Sequence, residues 1–518
     1  MKIKQTFMNI LHFLASLYLL VVYIGVPVYM RDSYHYLGKA KYDFYKTAVL
    51  GFMKEKVFIP GILPVMLCVV ILLFAIRDEG EKTDFHLSRT DKLMLVYAGA
   101  NIIATLLSSN KDMAVNGYEG WNMGLITQLC MVGSYFMISR YWQPDRSILY
   151  AAAVCSAVIF FMEILNRFWI YPFGTAGDLP KLYRVGFVST IGNINWFAGY
   201  MCVTYPAVAA YYLFAKDKRK RILSIVYLVI AGGAMVTQNS QSAFFGLLFL
   251  LWFLFQFTRN DKEKLQRFIE LILILLLSWR IVGFFQMIFS KEILILDHWT
   301  MFLSESPWMW ISIILLILFY RYAAKQDGKT LSLLTNRVNK AILISLAVLL
   351  VYIVLNSAGI LPDALSLGGP FRYTDEWGNY RGFHWRLALS TYIDMLKNEP
   401  LKAIFGTGPD CYSVSLYQYN LEEMKQVWSN SIVTNPHNEY LNLLVNVGIP
   451  GIVSFASLLY YRIHGSLKQK FSVIPAIMAA CAVCYAANDF VSFPTVITTP
   501  VLFASFGMIE SWEKNIGK

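Results

Sequence analysis

The sequence predicts an all-α polytopic membrane protein, and three observations carry that reading. Hydrophobic residues make up 57% of the 518-residue chain and charged ones only 15%, whereas a soluble domain carries roughly a quarter charged. Apolar stretches of helical length recur along the chain, as from Ala341 to Ala358, matching the roughly 20 residues a helix needs to cross a hydrocarbon core of about 30 Å. Against that background one connection, residues 359–437, is long, polar and aromatic.

Taken in order, the first apolar stretch, Phe7 to Val28, lacks a small-residue cleavage site and is followed by further spans, so it reads as a retained helix. Thirteen more spans centre near residues 68, 100, 130, 157, 204, 230, 250, 279, 312, 348, 450, 480 and 503, with adjacent short ones able to merge toward about twelve in all. An N-terminus in the cytoplasm puts residues 77–92, 216–221, 259–267, 321–340 and 462–470 inside, along with the C-terminus. About 27 Lys and Arg then lie inside and about 17 outside, as the positive-inside rule asks. Residues 31–56 read as an outer connection that runs against the trend with six basic residues. No period of 20–50 residues recurs and no inverted halves stand out, so residues 1–518 read as a single integral membrane domain with 359–437 as one large extracytoplasmic loop containing short helices.

The net charge of +12 is scattered over short loops without a long cluster, which argues against nucleic acid as a partner. Cys68, Cys130, Cys155, Cys202, Cys481 and Cys484 fall inside apolar stretches and read as packing residues; the Cys481-x-x-Cys484 pair has metal-ligand spacing but no histidine beside it. The acidic stretch 78–81 reads as a solvated loop. With no phosphate-binding glycine loop, nucleotide fold or metal-ligand cluster in view, no cofactor is expected.

Disorder is not expected of the long connection, because Phe371, Trp377, Phe383, Trp385, Tyr392, Phe405, Tyr412, Tyr417 and Trp428 supply too much apolar surface. Phe383, Leu387, Met395 and Leu396 fall on one helical face, which predicts a short helix along the membrane surface. Of seven histidines, His12, His86 and His464 are placed inside, His35 and His298 in outer connections, and His384 among aromatics where it packs. His437 stands apart in Asn435-Pro436-His437-Asn438-Glu439-Tyr440-Leu441, where the connection enters the next span. Asn435 and Pro436 suit a helix cap and first turn, so the imidazole either caps a helix or serves as a general base between lipid-borne and aqueous reactants.

Arginines on the same side match phosphate oxygens in bidentate geometry: Arg372, Arg381 and Arg386 in the connection and Arg184 before another outer helix start, with solvated charges or headgroup anchors as the alternative. Arg280 follows Arg267 by thirteen residues, about 20 Å of helix rise, so it either lines a polar cavity or makes a structural pair. Amide and hydroxyl side chains, as in Gly192-Asn193-Ile194-Asn195-Trp196 and Ser240-Gln241-Ser242, sit at outer helix ends, where capping is the commoner role and sugar binding the other.

These residues resemble the O-antigen ligase and polymerase superfamily, whose members share a membrane core of the GT-C type. Pro436-His437-Asn438-Glu439-Tyr440-Leu441 through Gly448-Ile449-Pro450-Gly451 is similar to the family's His-Asn-x-x-Leu segment followed by a Gly-x-x-Gly turn. Arg386, then Asn398-Glu399-Pro400-Leu401 and Phe405-Gly406-Thr407-Gly408-Pro409, resembles its loop arginine, Pro-Leu and Gly-x-Gly-Pro series, and Gly192-Asn193-Ile194-Asn195 its Gly-Asn-Pro-Asn element. One departure is Gln241, where many members have arginine; Arg280 or Arg381 then stands in, or the donor is held differently.

The resemblance implies an enzyme of the bacterial cytoplasmic membrane that moves a glycan from a polyprenyl (undecaprenyl) diphosphate carrier to a hydroxyl of a glycan, lipid or cell-wall acceptor at the outer face, with inversion and without a metal. In it His437 is the catalytic base, and Arg386, Arg381, Arg280, Arg184, Gln241, Asn193, Asn195, Asn438 and Glu439 bind substrate. Ligase and polymerase differ only in the acceptor. A multipass exporter or flippase of lipid-linked glycans is the alternative, and it would gather its polar residues near the midplane; a non-catalytic membrane scaffold is a third reading.

Overall fold

The computed structural model describes residues 2–31, 37–76, 86–177, 179–291, 293–294, 297–429, 431–468 and 473–516; His35 and the acidic stretch 78–81 lie outside them. Each of the fourteen sequence-predicted centres falls in its own helix. Seven helices, Lys2–Val28, Arg89–Leu107, Arg146–Arg167, Lys218–Thr237, Lys262–Ile288, Trp308–Lys325 and Gly328–Ser357, are long and apolar enough to cross a membrane individually, and Ile62–Ala75, Ser242–Thr258 and Val473–Asn488 are shorter apolar helices. The chain is an all-α polytopic membrane protein.

Short acidic caps start many of these helices. Asp145, Asp217, Asp261 and Asp327 each accept a backbone N–H of the first turn, supplying an acceptor to donors that have no intrahelical partner. All four lie on the face away from His437. On that same face Arg462 pairs with Glu510 and Glu513, and Asp91 holds Arg140 at 2.8 Å while taking the Tyr135 hydroxyl at 2.7 Å. Buried charges there are paired, as low dielectric requires.

Residues 37–56 are not a loose connection. Leu37–Leu50 is a helix that buries Tyr42, Tyr45 and Val49, and the fully buried Lys41 donates to the carbonyls of Val26, Pro27 and Tyr29 at 2.8–2.9 Å. Its ammonium thus closes the end of the first helix, so one of the six basic residues that run against the trend is structural. A two-residue turn then joins the antiparallel strands Gly51–Lys54 and Val57–Pro60. Among the cysteines, Cys155 packs half-buried against the core, whereas Cys68 is exposed on its helix and is not the packing residue expected.

Gly328–Ser357 stands at the edge, its central residues exposed. It is tied at one end by Gln256 to Asn339 at 2.7 Å, and at the other by Asn356, whose amide donates to the carbonyls of Leu367 and Phe371. The helix therefore serves as the post on which the long connection begins.

Candidate functional site

The long connection has a core of its own, formed by Phe383, Leu387, Met395, Tyr412, Leu416 and Met424 with Val445 of the following helix. Three of the four residues expected on one helical face are in it; Leu396 is 46% exposed and points away. Helix Trp377–Asn398 opens with three residues of positive φ, Gly378, Asn379 and Tyr380, which turn the chain before the regular helix begins.

Behind that core the glycine series fixes the next helix backbone to backbone. Thr407 and Gly408 donate their N–H groups to the carbonyls of Val445 and Asn446, satisfying the open end of helix Glu439–Asn446. Gly406 (φ +92°) lies so close that a Cβ would sit 2.3 Å from the Asn446 oxygen, and at Gly448 (φ +73°) it would sit 2.2 Å from the Ile404 oxygen. Asp410 accepts the N–H groups of Tyr118 at 2.7 Å and Met123 at 3.0 Å, holding the turn that carries Trp121.

His437 sits at the mouth so built. Asn435 accepts the His437 N–H at 3.1 Å, and His437 itself has φ +51°. The chain therefore turns once more than expected, and the helix cap is Asn438, which accepts the Leu441 N–H, rather than Asn435. The half-buried imidazole packs edge to face on Phe493 at 5.1 Å and lies 6.0 Å from the ring of His384, and its Nδ1 is buried with no partner among the described residues. Burial, the charge of Arg381 and the neighbouring His384 hold its pKa down from 6.5 to about 3. His384 stacks on Trp428 and is held at about 4 by burial and Arg381.

Arg381 donates from Nε to the Val491 carbonyl at 3.0 Å and from Nη1 to the Gly378 carbonyl at 2.7 Å. Among the described residues no carboxylate pairs with it, so a half-buried guanidinium keeps its charge directed at the two imidazoles. Arg386 is differently engaged: Asp375 takes it in bidentate fashion at 2.9 and 2.7 Å and Glu423 binds it at 2.7 Å. These two carboxylates occupy the Nε and Nη2 edge of its guanidinium.

The other expected residues divide. Asn195 accepts the Ser240 hydroxyl at 2.9 Å, and Asn193 caps helix Ile194–Phe214, so the two helix-end segments come together. Trp196 contacts Trp121, Trp121 contacts Phe493, and Phe493 contacts His437, so these ends join the imidazole through a continuous aromatic wall. Gln241 is exposed at the start of helix Ser242–Thr258. Glu439 is buried and accepts the Asn442 amide at 3.0 Å, while its N–H donates to the Asp489 carbonyl. Arg184 binds the Leu179 carbonyl and lies over Tyr171, and Arg280 binds the carbonyls of Ser304 and Ser306. None of these partners belongs to the aromatic wall that packs on His437.

Sequence reasoning missed Trp121, Phe493, Asp410 and Asp489. Asp410 directly follows Gly408-Pro409, a signal that was available. Asp489, whose two carboxylate oxygens are buried without partners among the described residues, directly follows an apolar helix, and an acid placed there is a comparable signal.

Residues 292–456 match the family model described as O-antigen ligase. That span contains Arg381, the glycine series, His437 and Gly448, and leaves out Asn193, Asn195 and Gln241. No curated protein and no solved structure matches the chain.

Proposed function

We propose, from the match of residues 292–456 to the O-antigen ligase family model, that this chain transfers a glycan from a lipid-diphosphate carrier to an acceptor hydroxyl, with His437 as general base and Arg381 as the cation facing the diphosphate. The observation that carries the reading is the Nδ1 of His437, without a partner among the described residues, beside an arginine that no described carboxylate pairs with. Donor and acceptor meet at the outer face of the cytoplasmic membrane, the carrier's tail in lipid.

A base must be neutral before it acts, and burial with Arg381 keeps His437 neutral at pH 7. Such a low proton affinity by itself makes a weak base. The bound diphosphate corrects this: its negative charge offsets the Arg381 charge and raises the imidazole's proton affinity once donor is in place. His437 then takes the acceptor's hydroxyl proton, and the oxygen forms a bond to the anomeric carbon from the face opposite the diphosphate. The carbon–oxygen bond to the diphosphate breaks, its electron pair leaving on a phosphate oxygen that Arg381 stabilises. Inversion follows from that geometry, and holding both amphiphiles at one mouth supplies much of the rate.

The test is transfer by the purified chain in proteoliposomes supplied with lipid-diphosphate oligosaccharide, read as product size and released lipid diphosphate. Wild type should yield product, and His437→Ala should lose it by about 10²–10⁴-fold while still inserting. A ladder of repeats marks a polymerase, and one added glycan on an acceptor marks a ligase. Undiminished transfer by His437→Ala removes the base assignment; lipid-linked sugar that only changes leaflet makes the chain a transporter.

A further inference from the structure

On the face opposite His437 a cavity of about 500 Å³ opens between helices Arg146–Arg167, Ile194–Phe214 and Val473–Asn488, within the size range of small-ligand sites. Small side chains make the space: Ala152 and Ala153 on the first helix and Ala207 on the second face Ile477 and Met478 on the third. From Arg146 at the rim to Ser156 near the closed end is ten residues of helix, about 15 Å, or roughly half a bilayer core.

The two ends of this cavity differ chemically. At the closed end the polar atoms are already satisfied within the protein: Ser156 meets the Tyr227 hydroxyl at 3.0 Å and Thr204 donates to the Tyr200 carbonyl at 2.8 Å. That end has room for hydrocarbon and no free polar group for a hydrophilic guest. The rim carries Arg146, Lys216 and Lys220, all exposed and, among the described residues, without a carboxylate partner; the neighbouring Asp217 is engaged in capping the next helix through the Lys220 N–H at 2.9 Å. Trp512 also lines the cavity, and its indole N–H is buried with no acceptor among the described residues.

We propose that this cavity binds an anionic, phosphate-headed membrane lipid, one hydrocarbon chain running inward past Ala153 and Ala207 and the phosphate held by Arg146, Lys216 and Lys220. Three cations at the rim and an apolar, internally satisfied interior select an amphiphile with a negative head. The site lies in the leaflet opposite the one that His437 faces, so it is separate from donor binding.

Native mass spectrometry of the detergent-purified chain, titrated with phosphatidylglycerol or phosphatidylcholine, tests the assignment. One phosphatidylglycerol should bind in preference to phosphatidylcholine. The Arg146→Gln/Lys216→Gln/Lys220→Gln variant changes only exposed side chains and should bind it about a hundredfold more weakly, roughly fivefold per cation. Ala207→Phe leaves the rim intact and should abolish the same binding by filling the chain's path. Equal binding of the two lipids, undiminished binding by Ala207→Phe, or displacement of phosphatidylglycerol by soluble glycerol phosphate would each overturn the proposal, the last by marking a site for phosphate alone.

Discussion

The imidazoles of His437 and His384 lie 6.0 Å apart with their planes tilted by 38°, and the charge of Arg381 acts on both. Burial and that charge hold them at about 3 and about 4, against 6.5 for a free histidine. In the unfolded chain both bind protons first as pH falls. Their contribution to stability is therefore complete above about 6.5 and is lost progressively toward 4 and 3. For catalysis the same sign puts the acid limb of kcat/KM, which reports the free enzyme, below pH 6.5. The limb of kcat should lie at higher pH, because bound diphosphate restores proton affinity. Arg381→Gln should move the kcat/KM limb upward. Profiles of transfer rate against pH check all three, and a free-enzyme limb above 6.5 contradicts the burial of His437.

Arg381 and Arg386 lie five residues apart and are expected to fail differently. Removing Arg381 takes away the cation beside the departing diphosphate, so Arg381→Gln should lower kcat by about 10²–10³-fold. Arg386 is 42% exposed in its pairs with Asp375 and Glu423. Such pairs contribute about 1 kcal/mol or less each, so Arg386→Gln should lower the melting temperature by a few degrees and leave most activity. Rates and melting curves of the two variants separate the roles; an inactive, fully stable Arg386→Gln would return the phosphate to Arg386.

Why the sequence singles out this region but not that division is a matter of range. The spans are local features, runs of apolar side chains that any window detects, and all fourteen centres fell on helices. Which arginine faces the imidazole depends on the turn at Gly378–Tyr380 and on the Val491 carbonyl, 110 residues from Arg381. The structural role of Lys41 is out of a local window's reach for the same reason, since the carbonyls it closes belong to another helix. The cap was misplaced by three residues because Asn435 and Asn438 are equally good capping types. Only the Asx turn onto the His437 N–H, with positive φ at His437, decides between them.

Gly448→Ala should be among the most damaging small substitutions in the chain. Its φ of +73° disfavours any side chain, and a Cβ would meet the Ile404 oxygen at 2.2 Å and the Gly406 nitrogen at 2.7 Å. Those atoms are backbone, pinned by the hydrogen bonds of Thr407 and Gly408, so relief requires the loop behind His437 to move. A loss of at least about 2 kcal/mol is expected. Gly465→Ala on the same helix is the control, with no described residue within 4 Å of its Cβ and a gain of up to about 1 kcal/mol from helix propensity. Thermal unfolding followed by size exclusion distinguishes the two; equal stability would mean that the glycine pair is not tightly packed.

Asp410 links stability to the site through a single oxygen. Its Oδ2 accepts the N–H groups of Tyr118 and Met123, and the turn between them presents Trp121, whose indole donates to Thr434 at 2.8 Å and packs on Phe493 at 4.7 Å. Asp410→Ala leaves two N–H groups without their acceptor, at about 1–3 kcal/mol each when buried, and loosens the wall against which the imidazole packs. Activity should fall further than stability alone accounts for, with kcat more affected than KM. Asp410→Asn keeps one carbonyl oxygen and tolerates the φ of +62°. Burial already pushes the Asp410 carboxyl up to about 6, so losing its negative charge costs little. Asn should therefore retain most transfer where Ala does not, and equal damage from both would show that the charge, rather than the accepted hydrogen bonds, is what the site requires.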